Sequence, residues 1–510
     1  MRLALPLFSG VTLVCAATSA NAEWRRYDTQ HFTIYSESNE KRVDELATGL
    51  EKIDGLMRMA TGMPMDADAI KVRIYEVADE SQVQAALGAD SDTGVAGFYE
   101  SNILGPFAVT LRHIVAETDY QFTPELVLHH EYAHHFMLQY FPATYPGWYI
   151  EGFAELIGSS KTLPDGRIAY GYPAKQRGHD LAADWVNMRN VLLDPPEKVR
   201  LDYYGQGWAM THYLTFSKDR AGQLRRYLTA LTAGKSAADS AKAFGDLETL
   251  DRDARKYVAS STFDYKQVAV PIKMPVIQKV SEVSAAEAAL IPETIAFSDF
   301  PLTEIRKAGE REKEAKRRED ILKHARSKAA AFPNDPYALY LLAQLENSAG
   351  NKAQAGADAD RLLAVQPSSV GGMVIKSILL SQEAGAMTGS ARAQEAEKAR
   401  ALAVAANKAD PDNPLTYVAF YQTYPAAGVT APAAAVNALE TAVEKLPKNT
   451  NVRLMLVDEL ANENRYAEAM FALSPIANDP HESPLRQAAR ERMAQLKAKA
   501  DAKAPVVAKS

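Results

Sequence analysis

Hydrophobic and polar positions divide the chain into a first part of mixed period and a last part of helical period. His31–Ser36 (HFTIYS) alternates and is rich in β-branched and aromatic residues, which predicts a strand. Glu40–Met59 follows with Val43, Leu46, Leu50, Ile53 and Met57 on one helical face, a stripe that packs into a core. Ile70–Val77 predicts a second strand and Ser81–Leu87 a short helix. Gly94–Tyr99 and Phe107–His113 predict two more strands around a loop. An open edge in such a small sheet would let an extended peptide add as a further strand. An ordinary buried hairpin fits the same pattern.

The strongest helical signal lies in residues 123–160, TPELVLHHEYAHHFMLQYFPATYPGWYIEGFAELIGSS. Thr123 is the expected N-cap, Pro124 and Glu125 suit a first turn, and Pro142 ends the helix after Tyr140. Within it, His130-Glu131-Tyr132-Ala133-His134 is an HExxH motif. Two histidines four apart project from one helix face and can hold one zinc ion, with Glu131 beside them to take a proton from water at the metal. The second helix, Trp148–Ile157, carries Glu151 and Glu155, again four apart. The helix supplies candidates for a third ligand: the Phe141–Gly147 turn would fold it back and bring Glu151 to the metal, and Glu155, one turn on, could then accept a hydrogen bond from a ligand histidine. His129 and His135 flank the motif off the ligand face and are expected to be solvent-exposed or to support the ligands from behind.

An HExxH helix followed by WYIEGFAE resembles the gluzincin metallopeptidases, the thermolysin-like and aminopeptidase-like clan, and within it the bacterial peptidase-MA-like group with its W-x-x-E-G-x-A-E second helix. Sixteen residues separate His134 from Glu151, a shorter connection than in thermolysin. The resemblance implies one Zn²⁺ per chain held by His130, His134 and Glu151, with Glu155 behind the ligands and Glu131 catalytic. It also implies an α+β catalytic domain, a small mixed sheet with the HExxH helices. Tyr204-Gly205-Gln206-Gly207-Trp208-Ala209 is similar to the Y-x-x-G-aromatic-A segment of aminopeptidase-type members. That likeness implies that Tyr204 donates to the developing oxyanion; packing of Tyr203 and Tyr204 in the cleft wall is the plainer reading. No G-x-M-E-N segment is present, which points to an endopeptidase or a narrow-specificity peptidase over a general aminopeptidase.

Beyond the motif, residues 161–200 are polar and irregular, with a turn at Pro195–Glu197. A helix runs to Phe216, with His212 expected in the core, and further helices lie at Gln223–Leu231 and Leu247–Val258. Thr262–Ser298 has β-branched residues, Pro271, Pro275 and Pro292 and no long helical period, so it reads as an extended linker or a strand packed on the first domain. Prolines 333, 367, 411, 447 and 480 then punctuate helix pairs at steps near the 34 residues of a tetratricopeptide unit. Tyr337–Gly350 with Lys352–Val365 fits one unit, with Leu339, Leu342, Ala355 and Ala359 packing. An insertion falls around Ala384–Ala393, and Asn451–Ala461 with Tyr466–Ile476 forms the last pair. The charged run Glu304–Lys328 reads as the solvated face of a leading helix. The expected layout is 1–22 signal peptide, 23–264 metallopeptidase domain, 265–300 linker, 301–496 all-α tetratricopeptide-like solenoid, and 497–510 disordered tail. Such an array binds peptides or proteins, or supports the first domain.

Composition narrows the function class. A net charge of -7 with interspersed acids and bases excludes a general nucleic-acid binder, and the Gly94–Tyr99 stretch (GVAGFY) lacks the lysine of a phosphate loop. Arg2, the apolar Leu3–Val14 and Ala20-Asn21-Ala22 form a cleavable signal cut after Ala22, which predicts a periplasmic or secreted chain with no later membrane span. Cys15 is the only cysteine and leaves with the signal. The expected partners are a peptide or protein substrate and a protein on the repeats. The competing class is a non-catalytic cell-envelope scaffold in which a peptidase-like domain carries the repeat array.

Overall fold

The computed structural model describes residues 23–65, 70–87, 97–112, 120–141, 145–178, 181, 185–194, 204–299, 302, 305, 307–479 and 484–503. The signal segment, Pro142, the Pro195–Glu197 turn, Tyr203 and Pro480 lie outside the described residues.

Strands β1 (Arg25–Asp28), β2 (Phe32–Ser36), β3 (Val72–Val77), β4 (Gly97–Asn102), β5 (Gly105–Leu111) and β9 (Lys279–Glu282) form one mixed sheet in the order β4-β5-β3-β2-β1-β9. The pairs β2/β3 and β3/β5 are parallel; β4/β5, β1/β2 and β1/β9 are antiparallel. Alternation decides what each face meets. Phe32, Ile34, Val72, Ile74 and Ala108 point to one face, where helices α1 (Glu40–Thr61) and α3 (Pro124–Tyr140) cover them with Leu46, Leu50, Leu128 and Phe136. Tyr35, Tyr75, Phe107 and Val109 point to the other face, under α2 (Glu80–Leu87) and α10 (Ala285–Ala296). Each large side chain so buried stabilises the layers by about 1.5–3 kcal/mol.

A polar knot ties α1 to α3 inside the first core. Arg58 donates from Nε to Asp54 Oδ2 at 2.5 Å and from Nη2 to the Tyr140 hydroxyl at 2.6 Å. The Tyr132 hydroxyl donates to Asp54 Oδ1 at 2.7 Å, and His31 Nδ1 lies 2.7 Å from Glu51 Oε2. Asp54 and Arg58 are buried.

Helix α4 (Gly147–Gly158) runs back along α3. Past it lie α5 (Met188–Leu193), α6 (Gly205–Phe216), α7 (Gln223–Thr232), α8 (Ala237–Ala241) and α9 (Leu247–Ala259), packed around Met188, Met210, Tyr227 and Leu250. A small sheet joins β6 (Lys161–Thr162), β7 (Ile168–Tyr170) and β8 (Lys266–Val268).

The segment read as an extended linker or a strand packed on the first domain takes the second form, supplying β8 and β9 to this body, and it adds α10, which is helical where the sequence shows no long helical period. Pro292 lies inside that helix. Ile291 and Ile295 of α10 face the sheet, while Ala286 and Leu290 pack on α11 (Ala308–Ala329) and α12 (Pro336–Ser348). The helix is therefore a joint between sheet and repeats.

The remaining helices are α13 (Lys352–Val365), α14 (Val370–Ala386), α15 (Gly389–Ala409), α16 (Pro414–Ala427), α17 (Ala433–Lys445), α18 (Thr450–Asn462), α19 (Tyr466–Ala477) and α20 (Pro484–Lys503). They form a solenoid of paired helices, with Asp335, Asn413 and Asn449 accepting from backbone N–H groups as N-caps. The insertion near Ala384–Ala393 lengthens α14 and α15 to 17 and 21 residues. The expected disordered tail is corrected in part: α20 runs to Lys503 with Leu496 buried. Among the described residues no helix is long and apolar enough to cross a membrane.

Candidate metal centre

Thr123 caps α3 as expected, accepting from the Leu126 N–H. The motif histidines then fall on the face turned to α4. Gly158 permits the close approach, since a Cβ there would meet His130 Cβ and the Leu126 carbonyl oxygen at 3.2 Å. A second glycine contact sets α6 against α4. A Cβ on Gly152 would lie 2.2 Å from the Gly207 carbonyl oxygen, and one on Gly207 would lie 2.8 Å from the Trp148 carbonyl oxygen. Only glycine lets these two helices meet at this distance. The contact carries Tyr204, at the N-terminus of α6, to the motif: its ring centre is 6.0 Å from that of His130.

Three side chains converge. His130 Nε2 and His134 Nε2 are 3.1 Å apart, His130 Nε2 lies 3.3 Å from Glu151 Oε2, and His134 Nε2 lies 3.5 Å from Glu151 Oε1. Tetrahedral zinc with bonds of about 2.0–2.1 Å separates its ligand atoms by about 3.3 Å. The residues present therefore fit a zinc ion. Charge agrees with spacing. Burial disfavours a charged His130 ring, yet Glu151 and Glu155 overcome it and raise the ring's pKa to about 10. Burial opposes the charge on Glu151 as well, and the two histidines hold its carboxyl well below the usual range. The cluster is built for positive charge.

Glu155 Oε1 lies 3.2 Å from His130 Nδ1, which directs Nε2 toward the cluster. Glu131 lines a cavity of about 100 Å³ next to His134 and Glu151, and it makes no hydrogen bond or ion pair among the described residues. Burial and the Glu151 charge push the Tyr204 phenol above its ordinary pKa, so it stays a neutral donor.

Sequence reasoning missed Arg177. Its Nη2 donates to Glu155 Oε1 at 2.7 Å, and its guanidinium stacks 4.3 Å from the Tyr204 ring centre. One side chain thus positions both Glu155, beside His130, and the Tyr204 ring. Nothing in the irregular stretch around it marks this arginine.

The other histidines sort by environment. His135 is buried, not exposed; its Nδ1 lies 2.6 Å from the Tyr99 hydroxyl, and burial lowers its pKa to about 3. Burial lowers His129 to about 4. His212 is a core residue between the Gly171 carbonyl and the Tyr257 hydroxyl. His31, Glu51 and Asp54 form a second group within metal-binding distance, but Thr29, Arg58 and Tyr132 already donate to its carboxylates, which leaves it a structural knot.

No family model matches the chain, and no curated protein matches it. Among solved structures, the chain is similar to a thermophilic TPR protein of Thermus thermophilus, at 21% identity and a TM-score of 0.31 over 38% of this chain and 98% of that one. It is also similar to the MamA RS-1 ArsTM double mutant, at 16% identity and a TM-score of 0.23 over 36% of this chain and 88% of that one.

Proposed function

We propose that the chain is an exported zinc-dependent peptidase of the gluzincin type, whose helical repeats dock substrate or a protein partner. The observation that carries this reading is the spacing of the His130, His134 and Glu151 donor atoms, which matches tetrahedral zinc. Export rests on the signal-like first 22 residues.

His130, His134 and Glu151 would hold the zinc ion, which would supply a Lewis acid for the scissile carbonyl and for water. Glu131, unpaired among the described residues and facing the cavity, takes the proton of the attacking water and returns it to the leaving amine. Tyr204 keeps its proton and donates a hydrogen bond to the oxyanion as charge develops. Glu155 holds His130 in one orientation, and Arg177 holds Glu155 and Tyr204. Replacing Tyr204 by Phe should lower kcat roughly 10²-fold with little change in KM; an unchanged kcat would reduce Tyr204 to packing.

The second reading is the non-catalytic scaffold, and a feature of the repeats favours it. A cavity of about 850 Å³ between α11, α12 and α13, edged by the Arg326–Glu346 ion pair, is the kind of recess a docked protein uses. Metal content separates the two readings. The purified chain should carry about one zinc, lost in His134→Ala. A chain that takes up no zinc would leave the scaffold reading standing.

A further inference from the structure

The cavity beside the metal centre is walled on one side by the repeats. Glu131, His134, Met137 and Ile150 come from α3 and α4; Lys448, Pro475 and Asn478 come from the α17–α19 end of the solenoid. The two parts are fastened there. Gln139 Nε2 donates to the Glu444 carbonyl at 3.0 Å, and Asn449 Nδ2 donates to Asp299 Oδ2 at 3.3 Å.

Lys448 is half-buried, and its amine donates to the backbone oxygen of Tyr99 at 3.3 Å while lying 4.6 Å from that ring's centre. Among the described residues no ion pair joins it to a carboxylate, although Asp479 lines the same cavity. An amine held in a partly apolar recess with one carbonyl and a ring face leaves donors and charge to be met by a ligand.

Tyr99 lies on β4, one of the two edge strands of the sheet. Pro106 has no N–H and stands opposite Ser101, so that pair is not hydrogen-bonded. Alternation then turns the Tyr99 carbonyl to the open edge. A peptide adding to β4 needs that carbonyl and meets Lys448 on it. Pro475 and Asn478 line the cavity beside Lys448. The group an ammonium receives there is a carboxylate, carried at the end of the peptide or on one of its side chains.

We propose that Lys448 is a specificity-determining residue that receives a carboxylate of the peptide substrate beside the metal centre. This rests on the peptidase reading for its context, but its test does not need turnover. N-acetyl tripeptides ending in leucine, as free acid and as amide, are titrated calorimetrically into the full chain carrying Glu131→Gln. A second pair, both amidated, differs only in Glu against Gln at the penultimate residue. Zinc content is measured on the same samples.

The free acid should bind about tenfold or more tighter than its amide. Lys448→Met should remove that preference and Lys448→Arg should keep it. A preference confined to the Glu/Gln pair, and equally lost in Lys448→Met, places the received carboxylate on a side chain. Equal binding of all pairs, no binding, or a preference that survives Lys448→Met overturns the proposal. A chain without zinc that still shows the Lys448-dependent preference refutes the peptidase reading alone. A zinc-bearing chain without the preference refutes the role of Lys448 alone.

Discussion

Glu131→Gln should leave about one zinc per chain in place and lower peptide hydrolysis roughly 10²–10⁴-fold. The amide fills the same space and keeps one acceptor, but it cannot take a proton. Glu131 is not among the three converging donors, so metal uptake should not depend on it. No hydrogen bond or ion pair among the described residues holds its carboxylate, so the change breaks no structural contact. Full activity on a peptide library, with zinc content unchanged, would remove Glu131 from the chemistry.

Asp54→Ala should destabilise the fold by about 3–5 kcal/mol, measured by denaturant unfolding. The change strands the buried guanidinium of Arg58 without its carboxylate and leaves the Tyr132 hydroxyl without its acceptor. Tyr132 lies inside the HExxH motif, so loosening this knot also frees the helix that carries His130 and His134. The double change Asp54→Leu with Arg58→Met should recover much of the loss, since the charge and its partner leave together. An unfolding midpoint for Asp54→Ala equal to that of the parent would refute the assignment. The same knot makes stability fall in acid. Burial opposes the charge on Glu51, but His31 holds its carboxyl below the usual range. Its contribution is therefore present above the ordinary glutamate value of about 4.3 and is lost as the pH falls through the lowered one.

The convergence of His130, His134 and Glu151 was legible because it is local. Spacings of four residues put His130 with His134 and Glu151 with Glu155 on single helix faces, and a short return brings the faces together. Strand β1 (RRYD) was missed because it is short and charged, and β9 (KVSE) because it is an exposed polar edge. Helix α10 was hidden by Pro292, although Ser284, which accepts from the Glu287 N–H, is a readable start signal. Arg177 and Lys448 were beyond reach for another reason. Their roles come from partners on other elements, and for Lys448 the partner, Tyr99, is on the far side of the fold's connectivity. Periodicity records which face a residue takes on its own element, not what that face meets.

The pairing of β1 with β9 has a consequence for how the molecule is made. Arg25 stands opposite Glu282, so the two ends of the sheet-bearing body meet on neighbouring strands. A nascent chain therefore cannot close its sheet until residue 282 has emerged, and contacts of such long range form slowly. A fragment cut at residue 264 loses β8, β9 and the α10 cover of the second sheet face. Limited proteolysis during refolding should accordingly find β1 protected only when the chain extends through α10.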